Sequence, residues 1–225
     1  MSGYLIFITI TILSYVVQAS LQSKFRKFSE EALSNGMTGR DVAVKMLADY
    51  GITDVEVTCI SGTLTDHYDP TAKRVNLSQD VYSRCSVAAA AVAAHECGHV
   101  VQHAMAYGPL KLRTALVPTV SFCSKIVPGI LLVGIALVQA FPVILEVGIA
   151  LFAMTTLFSL VTLPVEVNAS QRALAWLDHA GITSPTTHRD AESALRSAAY
   201  TYVVAALSSL ATLVYYVLIF LGRRD

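Results

Sequence analysis

The sequence predicts a mostly α-helical integral-membrane protein: four transmembrane helices and a small α+β region with a short strand hairpin. Three observations predict it. Of 225 residues, 54% are hydrophobic and 14% are charged, against roughly 25% charged in a soluble domain. The apolar residues gather in four runs near the length of about 20 that spans a bilayer. Between the first two runs, helical periodicity and β-branched alternation share one polar stretch.

In chain order, the first span is expected at 3–20, in "GYLIFITITILSYVVQA". Val17 and Ala19 resemble a signal-peptide cleavage site. The run lacks a preceding positive charge, however, and is followed by Lys24, Arg26 and Lys27, the pattern of an uncleaved anchor. Residues 23–50 read as helical, with a Thr38 cap and Val42, Met46 and Leu47 on one face. Strands are expected near 55–59, 62–68 and 73–77, with a turn at Asp69–Pro70. "SRCSVAAAAVAAHECGHVVQHAMAYG" reads as one helix ending at Gly108–Pro109. Spans follow at 114–140, 143–163 and 198–221, with Pro164 opening a further helix between the last two. The organisation is thus 1–20 membrane, 21–113 polar, 114–163 a membrane hairpin, 164–197 polar, and 198–225 membrane and tail.

Four spans put 21–113 and 164–197 on the same side. Of 16 Lys and Arg residues, only Lys125, Arg223 and Arg224 lie outside these stretches, so the positive-inside rule places them in the cytoplasm. The tail "GRRD" runs against that rule. Zero formal net charge gives no basic face for nucleic acid. The scattered cysteines, Cys59, Cys85, Cys97 and Cys123, form no C-x-x-C and read as packing residues. Lys125 and Glu146, within or near the hairpin spans, are the intramembrane ionisable groups; snorkelling to the interface accounts for Lys125.

His95-Glu96-Cys97-Gly98-His99 is H-E-x-x-H inside a helix. Four residues advance a helix by about 6 Å and return to nearly the same face. Two imidazoles so placed can grip one Zn²⁺, and Glu96 falls beside the ion, where it can accept a proton from water. Gly98 keeps the helix surface open to the next layer. His103 continues the stripe, but it stands about 12 Å along the axis from His95, so one ion cannot take both; it reads either as a polar group on the site-facing side that supports the ligands or as an ordinary surface residue. The longer metzincin pattern also fails, with Gln102 and Met105 at its glycine and third-histidine positions.

The third ligand must then come from elsewhere on that side. Glu166, in "LPVEVNASQRALAWLDHAG", would complete the His₂Glu set of a catalytic zinc, and Ser170, one turn on, could orient a ligating imidazole. The plainer alternative for Glu166 is a macrodipole partner at a helix start, and Asp178, His179, His188, Asp190 and Glu192 are rivals.

"AAHECGHVVQHA", followed after two apolar spans by "LPVEVNASQRAL", resembles the YugP-like neutral zinc metallopeptidases of bacteria. The likeness covers nearly the whole chain, "SGTLTDHYDPTAKRVNLSQDVYS" included. More distantly, the chain is similar to the HtpX and CAAX-prenyl-protease gluzincins. Those also put two spans between the zinc helix and a glutamate ligand in E-x-x-A-D. The matching stretch here is Glu166-Val167-Asn168-Ala169-Ser170, with serine in place of the aspartate. The resemblance implies Glu166 as a ligand. It also implies an endopeptidase in the cell membrane, facing the cytoplasm, with membrane or membrane-proximal proteins as substrates.

Peptide hydrolysis needs an oxyanion donor beyond the metal. Tyr107, Arg172, His179 and His188 are the candidates, ahead of Tyr82 and His67, and the sequence does not choose among them. "GTLTDHYDP" could be an edge strand that an extended substrate joins, or a purely structural hairpin. The rival reading of the whole is a membrane scaffold with a closed, structural zinc, but that reading gives Glu96 no role. A transport component would need polar stripes within several spans, and they are sparse.

Overall fold

A computed structural model describes residues 2–222, the side chains of 2–4 and 6 excepted. The chain is mostly helical: α1 (Ser2–Ser29), α2 (Gly39–Asp49), α3 (Gln79–Ser83), α4 (Val87–Ala104), α5 (Gly108–Ala136), α6 (Pro142–His179) and α7 (Pro185–Gly222). Three short strands, β1 (Glu56–Ile60), β2 (His67–Asp69) and β3 (Arg74–Ser78), complete it.

The chain divides into two compact units. One holds α1 up to Val16, Gly108–Pro164, and α7 from Thr201 on. Its buried apolar cluster is small, comprising Cys123, Val127, Leu131 and Leu145. A Cβ on Gly134 would stand 2.7 Å from the Leu145 Cα, so glycine is what lets α5 and α6 close up there. Large apolar side chains point outward instead, with Leu132 72%, Phe122 64% and Leu218 61% exposed. Three helices (α5, α6 and α7) are long and apolar enough to cross a membrane by length and composition. The expected span at 3–20 falls on α1, partly on side chains outside the described ones. Among the described residues three helices, not four, thus meet that standard. Arg223 and Arg224 also lie outside the described residues.

The other unit comprises Val17–Tyr107 and Val165–Tyr200, and is built around α4. Ser86 caps α4, its hydroxyl accepting the Ala89 N–H at 3.2 Å. The alanines that follow are small because helices press on them from several sides: Ala88 to Ala91, Ala93 and Ala94 are all buried. Val42, Met46 and Leu47 of α2 share that core with Val75, Leu77 and Val81. At the far end of α4, Ala106 takes a positive φ of 53° and the Tyr107 N–H reaches back to the Gln102 carbonyl at 2.9 Å, closing the helix.

Several expected boundaries move. Residues 23–50 are helical in two pieces: α1 stops at Ser29, and α2 starts at the expected Thr38 cap, a capping box with Asp41. The Asn35-Gly36 turn, with Gly36 at φ 67°, separates them. Likewise α3 is distinct from α4, which begins at Val87. The expected strand at 62–68 shrinks to His67–Asp69, because Gly62 (φ 114°) and Leu64 (φ 58°) bend the preceding residues out of extended backbone. The sheet order is β1-β3-β2. β2 and β3 form the antiparallel hairpin, while β1 pairs with β3 in parallel.

Pro164 does not open a helix: α6 runs through it from Pro142 to His179. Interrupting a helix leaves up to eight backbone groups without intrahelical partners, whereas an interior proline forfeits one bond. Continuity therefore wins. α5 likewise begins at Gly108, earlier than the expected 114, with Pro109 in its first turn, where its missing N–H costs nothing.

Candidate metal centre

His95 and His99 lie one turn apart on α4, their rings edge to face with centroids 4.8 Å apart. Glu166 of α6 faces both: its Oε2 is 3.3 Å from His95 Nε2 and 3.5 Å from His99 Nε2. All three donor atoms lie within 4.8 Å of one another. Glu166 and His99 are buried and His95 nearly so. Gly98 makes the meeting possible. A Cβ there would sit 2.6 Å from the Ala169 carbonyl oxygen, so any side chain would force the two helices apart.

The donor set fits zinc. Tetrahedral ligands at 2.0–2.1 Å from an ion lie about 3.3–3.4 Å from each other, close to the two nitrogen–oxygen separations. Each imidazole is also held from behind. Ser170 Oγ is 3.1 Å from His95 Nδ1, and Gln102 Oε1 is 3.0 Å from His99 Nδ1, which leaves both Nε2 atoms turned toward Glu166. Burial opposes charge on Glu166, but the two imidazoles outweigh it and hold the carboxyl below the usual carboxylate range. Burial likewise opposes protonation of His99, and the Glu166 and Glu96 carboxylates outweigh it, raising that imidazole.

Glu96 is buried beside His95. Burial, with help from Glu96, pushes the Cys97 thiol far up, so Cys97 is an inert core residue. Arg172 donates to Asn168 Oδ1 at 2.8 Å and to Met105 Sδ at 3.2 Å. His103 is exposed, with the Tyr68 hydroxyl 3.4 Å from its Nδ1. Tyr107 belongs to the end of α4, through its backbone bond to Gln102.

Other sequence candidates are placed elsewhere. His179 lies thirteen residues beyond Glu166, about 20 Å along the helix. There it lines a cavity with Lys45, Asp49 and Trp176. His188 Nδ1 is 3.1 Å from the Thr183 hydroxyl at the start of α7, and Glu192 pairs with Arg196. Asp178 is exposed. None of these, nor Asp190, joins the ligand cluster.

Sequence reasoning missed Gln102 and Asn168. Gln102 is fully buried; its amide donates to the Val165 carbonyl at 2.8 Å and to Asn168 Oδ1 at 3.0 Å. The available signal was its place three residues after His99, on the same helical face.

A helix-borne histidine pair and a carboxylate from a second helix form a donor set that suits zinc. The chain belongs to the family described as "Putative neutral zinc metallopeptidase", which matches residues 3–221. It is similar to "Putative membrane protease YugP" of Bacillus subtilis (strain 168), with 42% identity over 222 residues, 98% of either chain. No solved structure matches.

Proposed function

We propose that the protein is a zinc-dependent membrane endopeptidase of the gluzincin type, with His95, His99 and Glu166 as ligands and Glu96 as general base. One observation carries it: the Nε2 atoms of two histidines converge on a single Glu166 oxygen, beside a buried glutamate. When bound, zinc supplies Lewis-acid polarisation of a scissile carbonyl and acidifies water. Ser170 and Gln102 keep the imidazoles aimed at one point. Glu96 takes the proton from the attacking water and delivers it to the leaving amine, so that the broken peptide bond ends as a carboxylate and an amine. Arg172 stands one and a half turns beyond Glu166, a cation within the site-bearing unit for the carbonyl oxygen or the substrate chain.

The apolar runs support a multi-pass protein of the cell membrane with α1 as a fourth span, and the charge asymmetry supports polar stretches 21–113 and 164–197 in the cytoplasm. Substrates would then be proteins in or beside the bilayer. This reading is tested with purified protein and casein or a membrane-protein substrate. Glu96→Gln should keep one zinc per chain and lose hydrolysis by at least about 100-fold. Hydrolysis that survives the change refutes the base. A structural-zinc scaffold predicts zinc without hydrolysis in the wild type.

A further inference from the structure

The Gln102 side chain has three hydrogen-bond partners and one consistent orientation. A carbonyl oxygen only accepts, so the end of the amide facing Val165 O at 2.8 Å is the NH₂ group, which also donates to Asn168 Oδ1 at 3.0 Å. The opposite end is therefore the oxygen, and it lies 3.0 Å from His99 Nδ1. An amide oxygen only accepts as well, so the His99 proton sits on Nδ1. In the neutral ring the lone pair is then on Nε2, the atom 3.5 Å from Glu166 Oε2. His95 differs. Its Nδ1 meets the Ser170 hydroxyl at 3.1 Å, which can donate or accept and dictates no tautomer.

We propose that Gln102 is a positioning residue that holds His99 by Nδ1 so that Nε2 is the nitrogen offered to metal, and ties the same helix to the residue preceding Glu166. It acts through two other groups: one end of the amide fixes a tautomer on α4, the other fixes the Val165 carbonyl of α6. With no exposed surface of its own, it has no access to substrate. The proposal rests on the zinc reading and deepens it.

The test uses the full chain in detergent micelles. Nitrogen-15 imidazole spectra of the zinc-loaded wild type should show His99 protonated at Nδ1 and metal-bound through Nε2; a His99 bound through Nδ1 overturns the proposal with no variant needed. Zn²⁺ affinity is read by competition with a fluorescent chelator. Gln102→Met, which keeps the packing and removes all three bonds, should bind Zn²⁺ about 10–100-fold more weakly. Gln102→Glu still accepts from Nδ1–H, so it should keep the tautomer and bind Zn²⁺ more tightly than Gln102→Met. Wild-type affinity in Gln102→Met, alongside lost binding in His99→Ala, overturns this proposal alone. Zinc binding that survives His99→Ala overturns the zinc reading and this proposal with it.

Discussion

The two units of the chain use the same residue types in opposite ways. In the site-bearing unit Leu77 and Val75 are fully buried and the charges stand outside, as in Lys73–Asp54 and Arg74–Glu56. In the helical unit Leu132 and Leu218 face outward, and Thr11, Thr155 and Ser159 satisfy their hydroxyls on backbone carbonyls of their own helices. The contrast shows what each unit treats as solvent. Water drives leucine inward in one, while in the other an apolar environment leaves leucine indifferent and makes every unpaired polar group costly.

Four outcomes would sharpen or break that comparison. The largest concerns the ligand that α6 supplies: Glu166→Gln should weaken Zn²⁺ binding by more than about 100-fold, measured by chelator competition, because a ligand counts for more than the groups behind it. Next is a matched pair of leucines. Leu77→Ala should destabilise the site-bearing unit by about 2–5 kcal/mol in denaturant titration. Leu132→Lys should instead leave that unit's unfolding unchanged and oppose membrane insertion by about 3 kcal/mol, read by glycosylation mapping of an insertion reporter. Equal effects of the two on denaturant unfolding would erase the distinction between the units.

Gly98→Ala should cost about 1–3 kcal/mol through overpacking, and Zn²⁺ affinity should drop with it, since the added methyl meets the backbone of α6. The smallest effect lies at the α2 cap, where Thr38→Ala should cost about 1 kcal/mol. Its bond with the Thr38 hydroxyl holds the Asp41 carboxyl below the usual carboxylate value. A depressed folded value means that this contribution is complete above the unfolded pKa, about 3.9, and is lost as pH falls through the folded one. Thermal melts of wild type and variant should therefore converge on acidification.

The sequence made the metal side of α4 legible because its code is local: four residues of spacing and one helix suffice for His95, Glu96 and His99. Glu166 was legible from the residues only as one candidate among several, and the resemblance to a known pattern singled it out, since seventy residues of chain separate it from Glu96 and no periodicity links them. Gln102 was legible only in its spacing from His99, not in its link to α6. Its role depends on a carbonyl of α6, and backbone groups carry no letter in a sequence. The misread boundaries share one cause, the local signals of Pro164 and "GTLTD". Pro164 was overruled by the cost of uncapping a helix, and the strand expected at 62–68 by positive φ at Gly62 and Leu64.

The order of synthesis separates the three ligands in time. Both imidazoles are translated by residue 99, but the carboxylate follows two apolar helices, the second of which carries it on one unbroken rod. A nascent chain that has emerged only as far as Phe141 holds two-thirds of the ligand set and no means of closing it. A centre of this kind is complete only after the hairpin has been synthesised.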